Sequence, residues 1–171
     1  MTAGVETTGG AAIVDALITN GTDTLFGLPG AQMYPLFDAL QQRGDQIRTV
    51  GARHEQACGY MAFGYARSTG RPGVFAVVPG PGVLNTAAAL CTALGCNAPV
   101  LCVTGQVPAA FIGRRRGHLH ELPDQLREAE AEDDEGTFAQ FGVVDGRSMR
   151  LAIEDHVLVD LVAQQDDVRT T

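Results

Sequence analysis

A chain of 171 residues can bury one good core, so one domain with an appendage is the expected organisation. Its composition is 45% apolar and 19% charged, which is globular, and no apolar run approaches the ~18 residues of a membrane span. All twelve bases are arginine and the net charge is −8; this excludes a Walker or Schiff-base lysine and argues against nucleic acid as a partner.

The charge is uneven. Residues 1–125 hold 8 acids and 8 bases, whereas residues 126–171 hold 12 acids and 4 bases, so the net charge sits in the last quarter. The N-terminus lacks a basic segment followed by an apolar one, so the expectation is no secretory signal and a cytoplasmic location. Cys58, Cys91, Cys96 and Cys102 form no CxxC pair and read as buried thiols.

In chain order, a helical pattern over about Gly10–Asn20 precedes an apolar strand at Thr24–Gly27. A helix over Gln32–Arg43, a strand at Arg48–Ala52 and a helix over Glu55–Ser68 follow. A strand at Gly73–Val78, a helix over Val83–Cys96 and a strand at Pro99–Thr104 complete the series. Apolar strands alternating with helices predict a doubly wound α/β domain over residues 1–125, its mostly parallel sheet covered by helices on both faces. Ligands of such sheets bind at the loops after the carboxyl ends of the strands. The candidates are Leu28-Pro29-Gly30-Ala31, Arg53-His54-Glu55-Gln56, Pro79-Gly80-Pro81-Gly82 and Gly105-Gln106.

Beyond Gln125, residues 126–171 read as an acidic tail. Arg127–Gly136 carries six acids and one base, the pattern of a solvated helix or linker. Thr137–Leu161 regains apolar residues and reads as a hairpin or strand pair too short for its own core.

Three of the four loops are rich in Gly and Pro, which lets backbone approach a ligand closely. Neither G-x-G-x-x-G nor G-x-x-x-x-G-K-[ST] occurs. Glu55 alone reads either as a first-turn acid complementing a helix dipole or as a site carboxylate. Asn85 alone reads either as a helix N-cap or as a site residue. His118, His120, Glu121 and Asp124 superficially suggest metal ligands but read as a solvated loop, and Arg114-Arg115-Arg116 reads as an exposed charge run in preference to a contact for a ligand phosphate or substrate carboxylate. No metal site is expected on this chain.

Taken in order, the runs Gly21-Thr22-Asp23-Thr24-Leu25-Phe26-Gly27-Leu28-Pro29-Gly30 and Arg53-His54-Glu55-Gln56-Ala57-Cys58-Gly59-Tyr60-Met61-Ala62 are distinctive. Gly64-Tyr65-Ala66-Arg67-Ser68-Thr69-Gly70, Gly80-Pro81-Gly82-Val83-Leu84-Asn85 and Val103-Thr104-Gly105-Gln106 follow them. Over about residues 10–125 this set resembles the pyrimidine-binding (PYR) domain of the acetolactate synthase and pyruvate oxidase family of thiamine-diphosphate enzymes. The resemblance implies that Glu55 is the catalytic acid, which in that family hydrogen-bonds a pyrimidine ring nitrogen and promotes the tautomer that removes the thiazolium C2 proton. It implies cofactor contacts for Leu28, Pro29, Gly30, Pro81, Asn85 and Gln106. Two positions depart from the pattern: Pro79 stands where many relatives have Ser, and Ala31 where many have a second Gly.

Gly59, Ala62 and Ala66 present a small, flat helix face, and in the family this region lies at a subunit interface. The expected assembly is a homodimer, or a complex with a diphosphate-binding subunit, built across that helix. Family enzymes bind the diphosphate and Mg²⁺ on a second domain marked by Gly-Asp-Gly and a later Asn pair. Asp145-Gly146-Arg147 is the nearest approach here, and no Asn follows Asn97. The expectation is half of a cofactor site, inactive alone and serving 2-keto acid carboligation or decarboxylation. The alternative is a truncated or non-catalytic binding module. FAD, used by some relatives, is not expected on this chain.

Overall fold

The computed structural model describes residues 8–106 and, as backbone, three further strands at 139–143, 149–153 and 157–161. Helices α1 (Gly9–Thr19), α2 (Tyr34–Gln42), α3 (Glu55–Thr69) and α4 (Pro81–Gly95) alternate with strands β1 (Thr24–Gly27), β2 (Arg48–Gly51), β3 (Gly73–Val77) and β4 (Val100–Thr104). Strand β5 (Ala139–Val143) pairs with β4, giving a five-stranded sheet of order β2-β1-β3-β4-β5 in which every pairing is parallel.

Side chains along the strands alternate between two cores, as strand geometry demands. Leu25, Val74, Ala76 and Val103 face α1 and α2, with Ile13, Val14, Leu17, Leu36 and Leu40 closing that layer. Phe26, Phe75, Val77, Val100 and Cys102 face the other way, onto Cys58, Ala62 and Ala66 of α3 and Val83, Leu90 and Ala93 of α4. Phe75 is fully buried, and removing it from water contributes about 1.5–3 kcal/mol. The sheet is therefore covered on both faces, as the alternation predicts.

Local chemistry sets the helix ends. Thr8 caps α1 by accepting the Ala11 N–H at 3.1 Å. Gly70 ends α3 in a left-handed conformation, φ 69°. The Gly64–Gly70 run proves to be a structural bracket: the Tyr65 hydroxyl donates to Asp23 Oδ1 at 2.8 Å, and Arg71 donates to Asp23 Oδ2 at 2.7 Å. This ties α3 and the start of β3 to the turn before β1, at the sheet end opposite the carboxyl-end loops.

Three expectations are revised. The helix predicted over Gln32–Arg43 is a 3-10 turn, Ala31–Met33, followed by α2 from Tyr34, with Pro35 tolerated in the first turn because no intrahelical acceptor awaits its nitrogen. Within Thr137–Leu161, β6 (Met149–Ile153) and β7 (Val157–Leu161) form an antiparallel pair, while β5 joins the parallel sheet instead. The small face of α3 is buried inside the chain and is not an open interface. A Cβ on Gly59 would lie 2.7 Å from Ala89 Cβ of α4, and Gly73 abuts the Ala62 backbone.

Two of the four cysteines also differ from expectation, since Cys91 and Cys96 are exposed while Cys58 and Cys102 are buried. Arg114–Arg116, His118, His120, Glu121, Asp124, Arg127–Gly136 and Asp145–Arg147 lie outside the described residues. Among the described residues, no helix is long and apolar enough to cross a membrane.

Candidate functional site

Strand order reverses between β1 and β3. From β1 the chain runs through α2 to β2 on one side, and α3 then carries it across to β3 on the other. Such a switch point opens a crevice at the carboxyl ends of the two central strands. The Leu28 N–H, donating to Ala76 O at 3.1 Å, extends the β1–β3 pairing to the lip of that crevice.

Val78 holds the loops around the crevice together. Gly30, after β1, abuts Val78 Cγ1, and a Cβ on Gly82 would lie 2.7 Å from Val78 Cγ2 and 3.8 Å from Glu55 Cγ. Both glycines are therefore required by close approach. Gly80 enters α4 with φ 67°, a conformation that disfavours side chains, and Pro81 then takes the first helical position. This is why α4 starts two residues earlier than the sequence pattern predicts.

Glu55 is half-buried and is the first residue of α3, directly beyond β2. The Asn85 side-chain amide, one turn into α4, donates to Glu55 Oε2 at 3.0 Å. Asn85 is thus not the N-cap of α4; that place belongs to Gly80. The first turns of α3 and α4 both lie against the Glu55 side chain, and the partial positive charge of helix N-termini favours an anion there. The Asn85 bond engages Oε2 and not Oε1.

The other nominated residues surround this pair to different degrees. Leu28 is half-buried against the α3–α4 core, and Pro29 and Pro81 are exposed. Gln106 is half-buried just past β4, where a Cβ on its neighbour Gly105 would lie 2.7 Å from the Gln32 carbonyl oxygen. Thr104 Oγ1, at the carboxyl end of β4, is buried without a hydrogen-bond partner among the described residues. Burial and the nearby Glu55 carboxylate push the Cys58 thiol up to about 11, which removes it as a nucleophile near neutral pH. Among the described residues, no three His, Cys, Asp or Glu side chains gather as a metal centre.

The role of Val78 at the site escapes the sequence reading, which places it only at the end of a strand. The glycines in Gly30 and Pro79-Gly80-Pro81-Gly82 were the available signal, but nothing in a linear sequence shows that one valine separates the two loops.

The family described as "Thiamine pyrophosphate enzyme, N-terminal TPP binding domain" matches residues 7–127. A probable 2-ketoarginine decarboxylase, AruI, of Pseudomonas aeruginosa is 44% identical over 118 residues, 69% of this chain and 21% of the relative. The acetolactate synthase isozyme 1 large subunit of Escherichia coli is 43% identical over 106 residues, 62% of this chain and 19% of its own length. Acetolactate synthase of Bacillus subtilis is 43% identical over 103 residues, 60% of this chain and 18% of its own length. The chain thus spans about a fifth of the length of the curated relatives it matches. With Glu55 and Asn85 joined at the switch point of a doubly wound sheet, and with this match over most of its length, the chain belongs to the N-terminal TPP binding domain family of thiamine pyrophosphate enzymes.

Proposed function

We propose that this chain supplies the pyrimidine side of a thiamine-diphosphate site in an enzyme that decarboxylates or ligates a 2-keto acid. The observation that carries this reading is the Glu55 carboxylate fixed through one oxygen by Asn85 at the carboxyl ends of the central strands. The site suits an aminopyrimidine: a carboxyl able to share a proton with a ring nitrogen stands beside loop backbone kept bare of side chains at Gly30 and Gly82. When bound, thiamine diphosphate supplies a carbon nucleophile for the keto carbonyl.

The positions of the chain's own residues support the following roles. Glu55 would share a proton with a ring nitrogen, its carboxyl giving the proton and taking it back. Asn85 fixes the carboxylate's orientation, so that little rearrangement is needed during proton transfer. Leu28, Pro29, Gly30 and Pro81 would provide the loop surface for the flat ring, and Gln106 stands at the next strand end.

The diphosphate and Mg²⁺ require cations, backbone donors and hard oxygen ligands. Among the described residues, no cluster of acids suited to the metal gathers. A diphosphate-binding domain, on the same polypeptide or on a partner, therefore completes the site, and turnover depends on that assembly.

The test compares the full 171-residue chain alone, and with a diphosphate-binding partner, on a panel of 2-keto acids with thiamine diphosphate and Mg²⁺. The chain alone is expected to release no measurable CO₂. Glu55→Gln should lower the activity of the completed site by at least about 100-fold, the usual scale of proton-transfer catalysis, while leaving assembly intact. Equal activity of wild type and Glu55→Gln would remove the enzyme reading and leave a binding module.

A further inference from the structure

We infer that His54 is a positioning residue for Glu55, and that it acts through an unprotonated Nδ1. The inference rests on the assignment of Glu55 as the site carboxylate but is carried by different contacts. His54 has extended backbone, φ −153° and ψ 140°, and is the N-cap of α3. Its ring nitrogen Nδ1 accepts the Gln56 N–H at 3.2 Å, while its carbonyl accepts the Ala57 N–H at 3.0 Å. His54 therefore closes the first turn of α3 twice, by side chain and by backbone, and Glu55 is the residue enclosed.

Histidine is an unusual N-cap, since Ser, Thr, Asp and Asn are strongly preferred. Its Nδ1 nevertheless stands the same number of bonds from Cα as the Oδ1 of asparagine, so the geometry of an asparagine cap is available to it. Only the neutral ring with its proton on Nε2 can accept at Nδ1. A proton on Nδ1 would turn the acceptor into a donor aimed at another donor. The cap fixes the backbone from which the Glu55 side chain leaves, and the far end of that side chain is held by Asn85 at 3.0 Å. Glu55 is thus anchored at both ends, and loss of the cap frees the end nearer the backbone.

The experiment uses the full chain, labelled with ¹⁵N, as wild type, His54→Asn and His54→Ala. Long-range ¹H–¹⁵N spectra of the wild-type ring are expected to show the Nε2–H tautomer; an Nδ1–H tautomer at neutral pH would overturn the proposal without any variant. In His54→Ala, exchange of the Gln56 amide should rise about fivefold, as befits loss of a side-chain cap. The Asn85 side-chain NH₂ signal should also move toward that of free asparagine. His54→Asn should restore both. If His54→Ala does not fold, the ring spectrum and the Asn variant still decide the matter. A folded His54→Ala with an unchanged Asn85 signal, or a folded His54→Asn that restores neither, would overturn it. These readouts do not depend on turnover, so normal spectra with an inert Glu55→Gln substitution would refute the catalytic reading instead.

Discussion

Asn85 and Glu55 lie thirty residues apart in sequence, yet the Asn85 amide donates to Glu55 Oε2 at 3.0 Å, joining the first turn of α4 to that of α3. This bond is what gives the carboxylate one orientation. Asn85→Ala should leave the domain folded, because Asn85 is exposed and the helix cap beside it is Gly80. In a completed enzyme it should lower kcat by about tenfold, equivalent to ~1.4 kcal/mol, with little change in KM for the keto acid. Steady-state kinetics of the assembled site provide the check; a change in KM alone would mean that Asn85 only shapes the pocket.

The spacing of Gly82 and Val78 makes a second expectation quantitative. A methyl at Gly82 would lie 2.7 Å from Val78 Cγ2, so Gly82→Ala overpacks the crevice and should cost about 1–3 kcal/mol in urea unfolding. Val78→Ala removes the obstructing methyl. The double variant should therefore be less destabilised than the two single changes predict when added, by at least about 0.5 kcal/mol. Strict additivity would show that the two loops do not meet at Val78.

The alternation of strands and helices up to β4 is readable because it depends on local periodicity, which places four strands and four helices within about two residues; the pairing of β5 with β4 is not. What failed was anything set by a contact between distant segments. Gly59, Ala62 and Ala66 display the same small-residue spacing whether another subunit or α4 covers them, and Ala89 of α4 is the actual neighbour of Gly59. Periodicity identifies a face, not its partner. Similarly, the carboxyl-end loops named the neighbourhood of the site, but the hydrogen bond from Asn85 to Glu55 and the wedge at Val78 depend on how two helices approach each other. The 3-10 turn at Ala31–Met33 was missed because its apolar pattern continues smoothly into α2.

The cysteines allow a test of the packing without any ligand. Cys91 and Cys96 are exposed, whereas Cys58 and Cys102 are buried and their thiols are pushed up chiefly by that burial. At about pH 8, a native chain should therefore react rapidly with a disulfide reagent at Cys91 and Cys96 only, because the thiolate is the attacking species and must also be reached. Cys58 and Cys102 should react on unfolding. Mass spectrometry of labelled peptides distinguishes the sites, and fast labelling of Cys58 would contradict the closed α3–sheet core.

The bracket at the other end of the sheet should make stability depend on pH in a defined direction. The Tyr65 hydroxyl, then Arg71, hydrogen-bond the Asp23 carboxylate and hold it below its ordinary value. A carboxylate lowered on folding contributes stability above its unfolded pKa, and that contribution disappears as pH falls through the folded value. Tyr65 is shifted the opposite way, raised first by burial and then by its bond to Asp23. Its contribution is complete below the unfolded tyrosine value of about 10 and disappears as pH rises through the folded one. The bracket is therefore strongest between about pH 5 and pH 9. Asp23 is half exposed, so screening keeps the effect small. Asp23→Asn should lower the melting temperature by at most about 4 °C near pH 7, and the deficit should shrink as the pH falls below about 4. Melting curves of wild type and variant from acid to neutral pH measure this directly. A deficit that stayed constant into acid would show that the Asp23 charge contributes nothing and that only the shape of its side chain matters.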